Sequence, residues 1–184
     1  MTARSAWTFT HWGIKTPTVS MDNFQGEHLV TPQHVRFLKP QSGKNIAFTS
    51  LWDNWPKSAT VPVHAMGDAV WLLVGGSTTP MQCRIANAVI RFRYADGQEE
   101  TLDLVPPENF WSLCGFGRVD YNYARDGFSL PKQPPAQMQL GTNCRAMVYG
   151  WKLRPGVELK EVTMETLSLD VVIGLMSVSV MNPR

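Results

Sequence analysis

An all-β fold, a sandwich or a barrel, follows from three observations in this sequence. Helical periodicity is scarce, and from Val35 onward the apolar residues come in short runs closed off by Gly, Pro, Asn and Asp. Seven Trp, eight Phe and four Tyr are many for 184 residues, and aromatic side chains favour pleated, half-buried surfaces. Fourteen Gly and thirteen Pro supply the frequent turns that short strands need. The length suits one domain, residues 1–184, with a single sizeable core.

Taken in order, residues 1–30 lack regular alternation and are expected to wrap the domain irregularly, with room for one edge strand. Strands are expected at Val35–Leu38, Asn45–Leu51, Thr60–Val63, Ala69–Val74, Ala88–Tyr94, Thr101–Val105, Met138–Leu140, Ala146–Trp151, Leu159–Leu167 and Val171–Val180. The last has two characters. Val171–Met176 is apolar on both faces, as for a strand covered on both sides, whereas Met176, Val178 and Val180 alternate with Ser177 and Ser179, as for a strand with one wet face. One hairpin is specified in detail. Ile90, Phe92 and Tyr94 share a face opposite to Arg91 and Arg93, and Leu102 and Leu104 belong with the apolar set. A two-residue loop would set Leu102 against Arg91 and mix the faces. A three-residue loop, Ala95-Asp96-Gly97, sets Ile90 against Leu102 and Arg93 against Glu99, with Gly97 left-handed in a bulge. The segment Val105–Pro135 is the least strand-like and reads as a long functional or partner-contacting loop.

Charge and hydropathy exclude whole classes. A net charge of +2 without any Lys/Arg cluster gives no basis for a nucleic-acid partner. The longest apolar runs, Ala69–Val74 and Val171–Met176, are six residues each, too short for a membrane-spanning helix, so no membrane insertion is expected. Three widely spaced cysteines, Cys83, Cys114 and Cys144, include no C-x-x-C and allow at most one internal disulfide. No histidine pair or calcium-loop spacing occurs, so no cofactor is expected; a structural calcium held by irregular loops would have no motif behind it.

Three constellations carry chemistry. The first is Ser50-Leu-Trp-Asp-Asn-Trp-Pro56, where Trp52 and Trp55 flank Asp53 and Asn54. Sugars ask for this mixture, an aromatic plate for the C–H face and short polar groups for the hydroxyls. The opposing reading has the indoles plugging the sandwich while Asp53 and Asn54 bond to turn backbone. The second is the Gly75–Arg84 crossover, where Gln82 and Arg84 are hydroxyl or carboxylate donors, or where Arg84 simply pairs with a carboxylate. The third joins Asn109 and Trp111 with Asp120 and Tyr121, lining a groove or packing against a neighbouring domain. Glu108 with Asp53 or Asp120 would be the paired carboxylates of a glycosidase, but isolated loop carboxylates are more often structural. The four histidines, His11, His28, His34 and His64, lie early in the chain, away from any recognisable nucleophile. The chain is therefore expected to be non-catalytic.

From about Phe37 to Val180 the chain resembles the C-terminal β-sandwich (jelly-roll) domain of DUF4450-type bacterial glycosidase-like proteins. The resemblance lies in Asn45-Ile-Ala-Phe-Thr-Ser-Leu-Trp-Asp-Asn-Trp-Pro56, Leu72-Leu-Val-Gly-Gly-Ser-Thr-Thr-Pro-Met-Gln82, Tyr94-Ala-Asp-Gly97, Leu104-Val-Pro-Pro-Glu-Asn109 with Trp111, and Leu159 through Met176. Where that family runs Asn-Trp-Trp before an acidic stretch, this chain has Asn109-Phe-Trp111 and a displaced Asp120-Tyr121, and the first thirty residues match poorly. The resemblance implies a jelly-roll module of a larger secreted, periplasmic or cell-surface protein. Its partners would be a polysaccharide or oligosaccharide and an (α/α) glycosidase-like catalytic domain of the same polypeptide. On this reading the chain is a non-catalytic carbohydrate-binding module, accessory to glycoside hydrolysis. Trp52, Trp55 and Trp111 are the stacking residues, and Asp53, Asn54, Gln82, Arg84, Asn109, Asp120 and Tyr121 the polar ones. The alternative is a structural sandwich that buttresses the catalytic domain without binding glycan.

Overall fold

The computed structural model describes residues 27–38, 46–52, 55–78, 82–113, 131–132, 135–140, 144–169 and 171–182. Among these are eleven strands and no α-helix: β1 (His28–Val30), β2 (Arg36–Leu38), β3 (Ala47–Ser50), β4 (Ser58–Ala65), β5 (Ala69–Ser77), β6 (Ala88–Tyr94), β7 (Glu99–Leu104), β8 (Gln137–Gln139), β9 (Arg145–Lys152), β10 (Leu159–Thr166) and β11 (Val172–Met181). They form an antiparallel β-sandwich. A four-stranded sheet, β4-β10-β6-β7, packs on a five-stranded one, β3-β11-β5-β9-β8, and the β1-β2 pair makes a third small sheet.

Alternation along the strands builds the layers. Val70, Leu72 and Val74 of β5 and Met147 and Tyr149 of β9 face Ile90, Phe92, Val162 and Met164 of the other sheet, forming the inner core. The intervening residues Leu73, Ala146 and Val148 point the opposite way and meet Leu29, Val35 and Phe37 from β1, β2 and the turn between them. The five-stranded sheet is thus covered on both faces over part of its length, as the two-sided run in β11 requires. Where β11 turns from that run to alternation, the pairing with β5 shifts register between Leu175 and Ser177. A bulge places Met176 in the outer core and lets Val178 and Val180 face the inner one.

The β6–β7 hairpin has the register its faces demand. Ile90 pairs with Leu102 and Arg93 with Glu99. Gly97 adopts φ 83°, its N–H bonds to Tyr94 O at 3.1 Å, and Asp96 Oδ1 accepts from Gln98 N at 3.0 Å. On the outer face of this sheet Arg91, Arg93, Glu161 and Glu165 form a solvated charge ladder. Pro62 lies in β4, longer than expected at Ser58–Ala65, because β4 is an edge strand that tolerates a missing donor. An apolar groove of about 630 Å³ lies between β4 and the stretch of β11 from Leu175 to Val180.

Candidate functional site at one end of the sandwich

The topology brings the described parts of the three constellations, Trp52 and Trp55, Gln82 and Arg84, and Asn109 and Trp111, to one end. Ser50 and Ser77 both pair with Val172, while Ala88 pairs with Leu104 and Thr166. The connections 51–57, 78–87, 105–113 and 167–171 therefore leave neighbouring strand ends. Thr49 and Thr166, hydroxyl to hydroxyl at 2.8 Å, tie the two sheets together beneath them.

Asn87 organises this end, and its importance was not legible in the sequence. It is fully buried. Its Oδ1 accepts from the Thr78 hydroxyl, and its Nδ2 donates to Gln82 O at 2.8 Å and Ile85 O at 3.1 Å. Its main-chain N–H bonds to Leu104 O, and its carbonyl accepts from Leu167 N and Ser168 N. Two of the four connections and the end of β7 thus meet on one carboxamide-bearing residue. The Ser112 hydroxyl joins in, donating to Thr78 O at 2.9 Å.

The first constellation is a closed loop. Ser50 N bonds to Pro56 O at 3.0 Å across its neck, and Trp55 N to Trp52 O at 3.2 Å. The Ser50 hydroxyl donates to Val171 O and accepts from Trp52 N. Trp52 and Trp55 are both half-buried. Trp55 meets Phe48 edge-on, with ring centroids 5.5 Å apart, and Phe48 lies against Gly174, where an added Cβ would come within 2.8 Å of its ring. The absent side chain at Gly174 is what lets the aromatic stack seat so closely. Asp53 and Asn54 lie outside the described residues.

In the second constellation Gln82 is half-buried and Arg84 exposed. Arg84 adopts φ 59°, held by its N–H bond to Pro106 O at 2.7 Å, and no carboxylate pairs with its guanidinium among the described residues.

The third constellation is corrected in part. Trp111 is 7% exposed, packs into the inner core and donates Nε1–H to Pro107 O, so its faces are spent on protein. Asn109 is a staple of its own turn. Its Oδ1 accepts from Val105 N at 2.7 Å and its Nδ2 donates to Asp103 O at 2.8 Å. Its carbonyl accepts the hydroxyl of Tyr149, whose pKa burial pushes well up. These two side chains serve packing and turn geometry rather than a ligand. Asp120 and Tyr121 lie outside the described residues, as does Asp53, so neither carboxylate pairing with the exposed Glu108 is defined.

The rim of this end also carries Ile85, Leu167 and Leu169, exposed by 51%, 42% and 64%. Sequence reasoning missed this aliphatic edge because Ile85 and the pair Leu167 and Leu169 lie on separate connections that only the fold brings together. No group of three His, Cys, Asp or Glu suited to a metal ion occurs among the described residues. Cys144 is disulfide-bonded and Cys83 is not. No family model matches the chain, and neither a curated protein nor a solved structure matches it.

Proposed function

We propose that this β-sandwich is a non-catalytic carbohydrate-binding module that takes a polysaccharide or oligosaccharide at its loop end, accessory to glycoside hydrolysis by a catalytic domain of the same polypeptide. The observation that carries this reading is the partial exposure of Trp52 and of Trp55, which also packs on the outer core, on a loop whose neck is closed by main-chain bonds. Such indoles are preformed plates, so little ordering is left to oppose binding. An indole that removes about 60–80 Å² of apolar surface from water contributes roughly 1.5–2 kcal/mol. Gln82 and Arg84, at the same end, add hydrogen bonds of about 0.5–1.5 kcal/mol each. A few such contacts, less association costs, correspond to affinities between about micromolar and millimolar. The disulfide at Cys144 is in keeping with an oxidising compartment and hence with secretion or a periplasmic or cell-surface setting.

Affinity gel electrophoresis against plant and host polysaccharides tests the proposal. At least one glycan retards the chain, and Trp52→Ala or Trp55→Ala removes the retardation while the far-ultraviolet circular dichroism is kept. Unchanged mobility of the folded wild-type chain on every glycan overturns it.

A second reading, the buttressing sandwich, is favoured by the exposed edge Ile85, Leu167 and Leu169. Aliphatic side chains suit a protein contact better than a hydrated sugar. On that reading Ile85→Asp with Leu169→Asp uncouples the sandwich from the catalytic domain. One thermal transition of the longer polypeptide becomes two, while the isolated sandwich melts as before.

A further inference from the structure

Away from the loops, Trp71 near the start of β5 lies at the margin of the outer core, packed against it and partly buried. It pairs with Ser179 of β11 on one side and Gly150 of β9 on the other. A Cβ added to Gly150 would lie 2.8 Å from two carbons of the indole six-membered ring and 3.0 Å from a third. Three adjacent ring carbons at nearly one distance mean that Gly150 meets the ring's face and not its edge. The indole therefore lies flat along the sheet, on the one residue type that leaves it room.

Its surroundings differ from those of the structural indoles. Trp111 and Trp151 each give their Nε1–H to an acceptor, Pro107 O and Glu100 Oε2. Trp71 Nε1 is buried and finds no acceptor among the described residues, where it is the only such side-chain atom. A ring that forgoes its hydrogen bond in order to lie flat is placed for its face. Ser179 lies opposite it on β11 and Ser177 two residues away, opposite Leu73, their hydroxyls unengaged among the described residues, and Lys152 stands two residues beyond Gly150 on β9, opposite Ala69. Neighbouring strands are about 4.8 Å apart, so these groups fall within about one sugar's width of the indole.

We propose that Trp71, with Ser177, Ser179 and Lys152, is a second saccharide-binding surface, a sheet-face platform on which a pyranose of a glycan chain stacks, separate from the loop end. The flank here is hydroxyl and ammonium, unlike the aliphatic edge at Ile85, and that favours a hydrated glycan over an apolar protein face. The platform does not depend on the loop-end site.

The test is titration of the intact chain with oligosaccharides of increasing length, followed by tryptophan fluorescence and by affinity gels with the parent polysaccharides. Trp71→Ala weakens binding about tenfold, which corresponds to about 1.4 kcal/mol, and Trp52→Ala leaves that Trp71-dependent part intact. Gly150→Ala, which pushes the indole off its seat at an exposed backbone position, lowers affinity in the same direction and keeps the proposal testable if Trp71→Ala does not fold. Folded Trp71→Ala and Gly150→Ala with wild-type affinity overturn the platform, even if Trp52→Ala abolishes binding at the loop end. The proposal also fails if these variants alter only self-association in sedimentation, which would make the face a protein contact.

Discussion

Tyr94 and Trp151 belong to different sheets and donate to the same oxygen, Glu100 Oε2, each at 2.8 Å. The carboxylate on edge strand β7 thereby clasps the four-stranded sheet to the five-stranded one at the end opposite the candidate site. Phe92 completes the clasp, stacked on Trp151 at 4.9 Å and 10°. Glu100→Ala strands two part-buried donors, each costing about 1–3 kcal/mol, so a loss of about 2–4 kcal/mol is expected in urea unfolding. Glu100→Gln keeps an acceptor and costs about 1 kcal/mol. Equal losses for the two variants would mean that the carboxylate acts by charge alone.

The same clasp has a signature at high pH. Burial, then the hydrogen bond and charge of Glu100, push the Tyr94 phenol up to about 12. A folded-state value above the unfolded one, near 10, stabilises the protein below pH 10, and that share is lost as pH rises from about 10 to 12. Ultraviolet titration should show Tyr94 ionising late, and Glu100→Gln should bring it earlier without reaching 10, since burial remains.

The hairpin at β6–β7 was legible because two independent constraints, face alternation and turn geometry, admit a single register. Gly97 carries the second constraint, and the space around it is open. Gly97→Ala therefore meets no neighbour and costs only the left-handed backbone, about 1 kcal/mol, measured as a lower urea midpoint with an unchanged slope.

The split character of β11 was legible for a related reason, since coverage on one face or two writes itself into alternation. The candidate site was legible only as separate pieces. Trp52 and Trp111 sit in similar local sequence, yet one stays half-wet and the other is sealed by the Pro107 carbonyl. Periodicity reports which face a residue takes within its strand and is silent on which strand ends become neighbours. Glu100 reads as an ordinary edge-strand carboxylate because its partner Trp151 is 51 positions away.

Glu165 marks the acid side of the stability profile. Lys57 Nζ lies 2.9 Å from one of its oxygens and Arg91 Nη2 3.1 Å from the other. Hydrogen bonds from Lys57 and then Arg91 hold its carboxyl below the ordinary value of 4.5. The stabilisation is present above that unfolded-state value and is lost as pH falls through the lower folded one. Because these groups are partly exposed, the effect is small and shrinks with salt. Glu165→Gln should flatten the decline in melting temperature on acidification at low ionic strength, and wild type and variant should converge in about 1 M salt.

Asn87 is the sharpest test of how the loop end is held. Both polar atoms of its side chain are committed, and its partners Thr78, Gln82 and Ile85 lie on the crossover that also carries Arg84. Asn87→Ala leaves the Thr78 hydroxyl and two carbonyls without their partner in a dry setting, for a loss of about 2–4 kcal/mol. Asn87→Asp retains the acceptor for Thr78 but sets a carboxylate against the carbonyls of Gln82 and Ile85, so it should destabilise at least as much at neutral pH and recover on acidification, when one oxygen is protonated and donates again. Hydrogen exchange should show the damage in the amides of Leu167 and Ser168, which bond to the Asn87 carbonyl, before it reaches β6 and β10. If glycan retardation resides in the loop end, it should weaken in Asn87→Ala in step with that local opening, with Trp52 and Trp55 untouched.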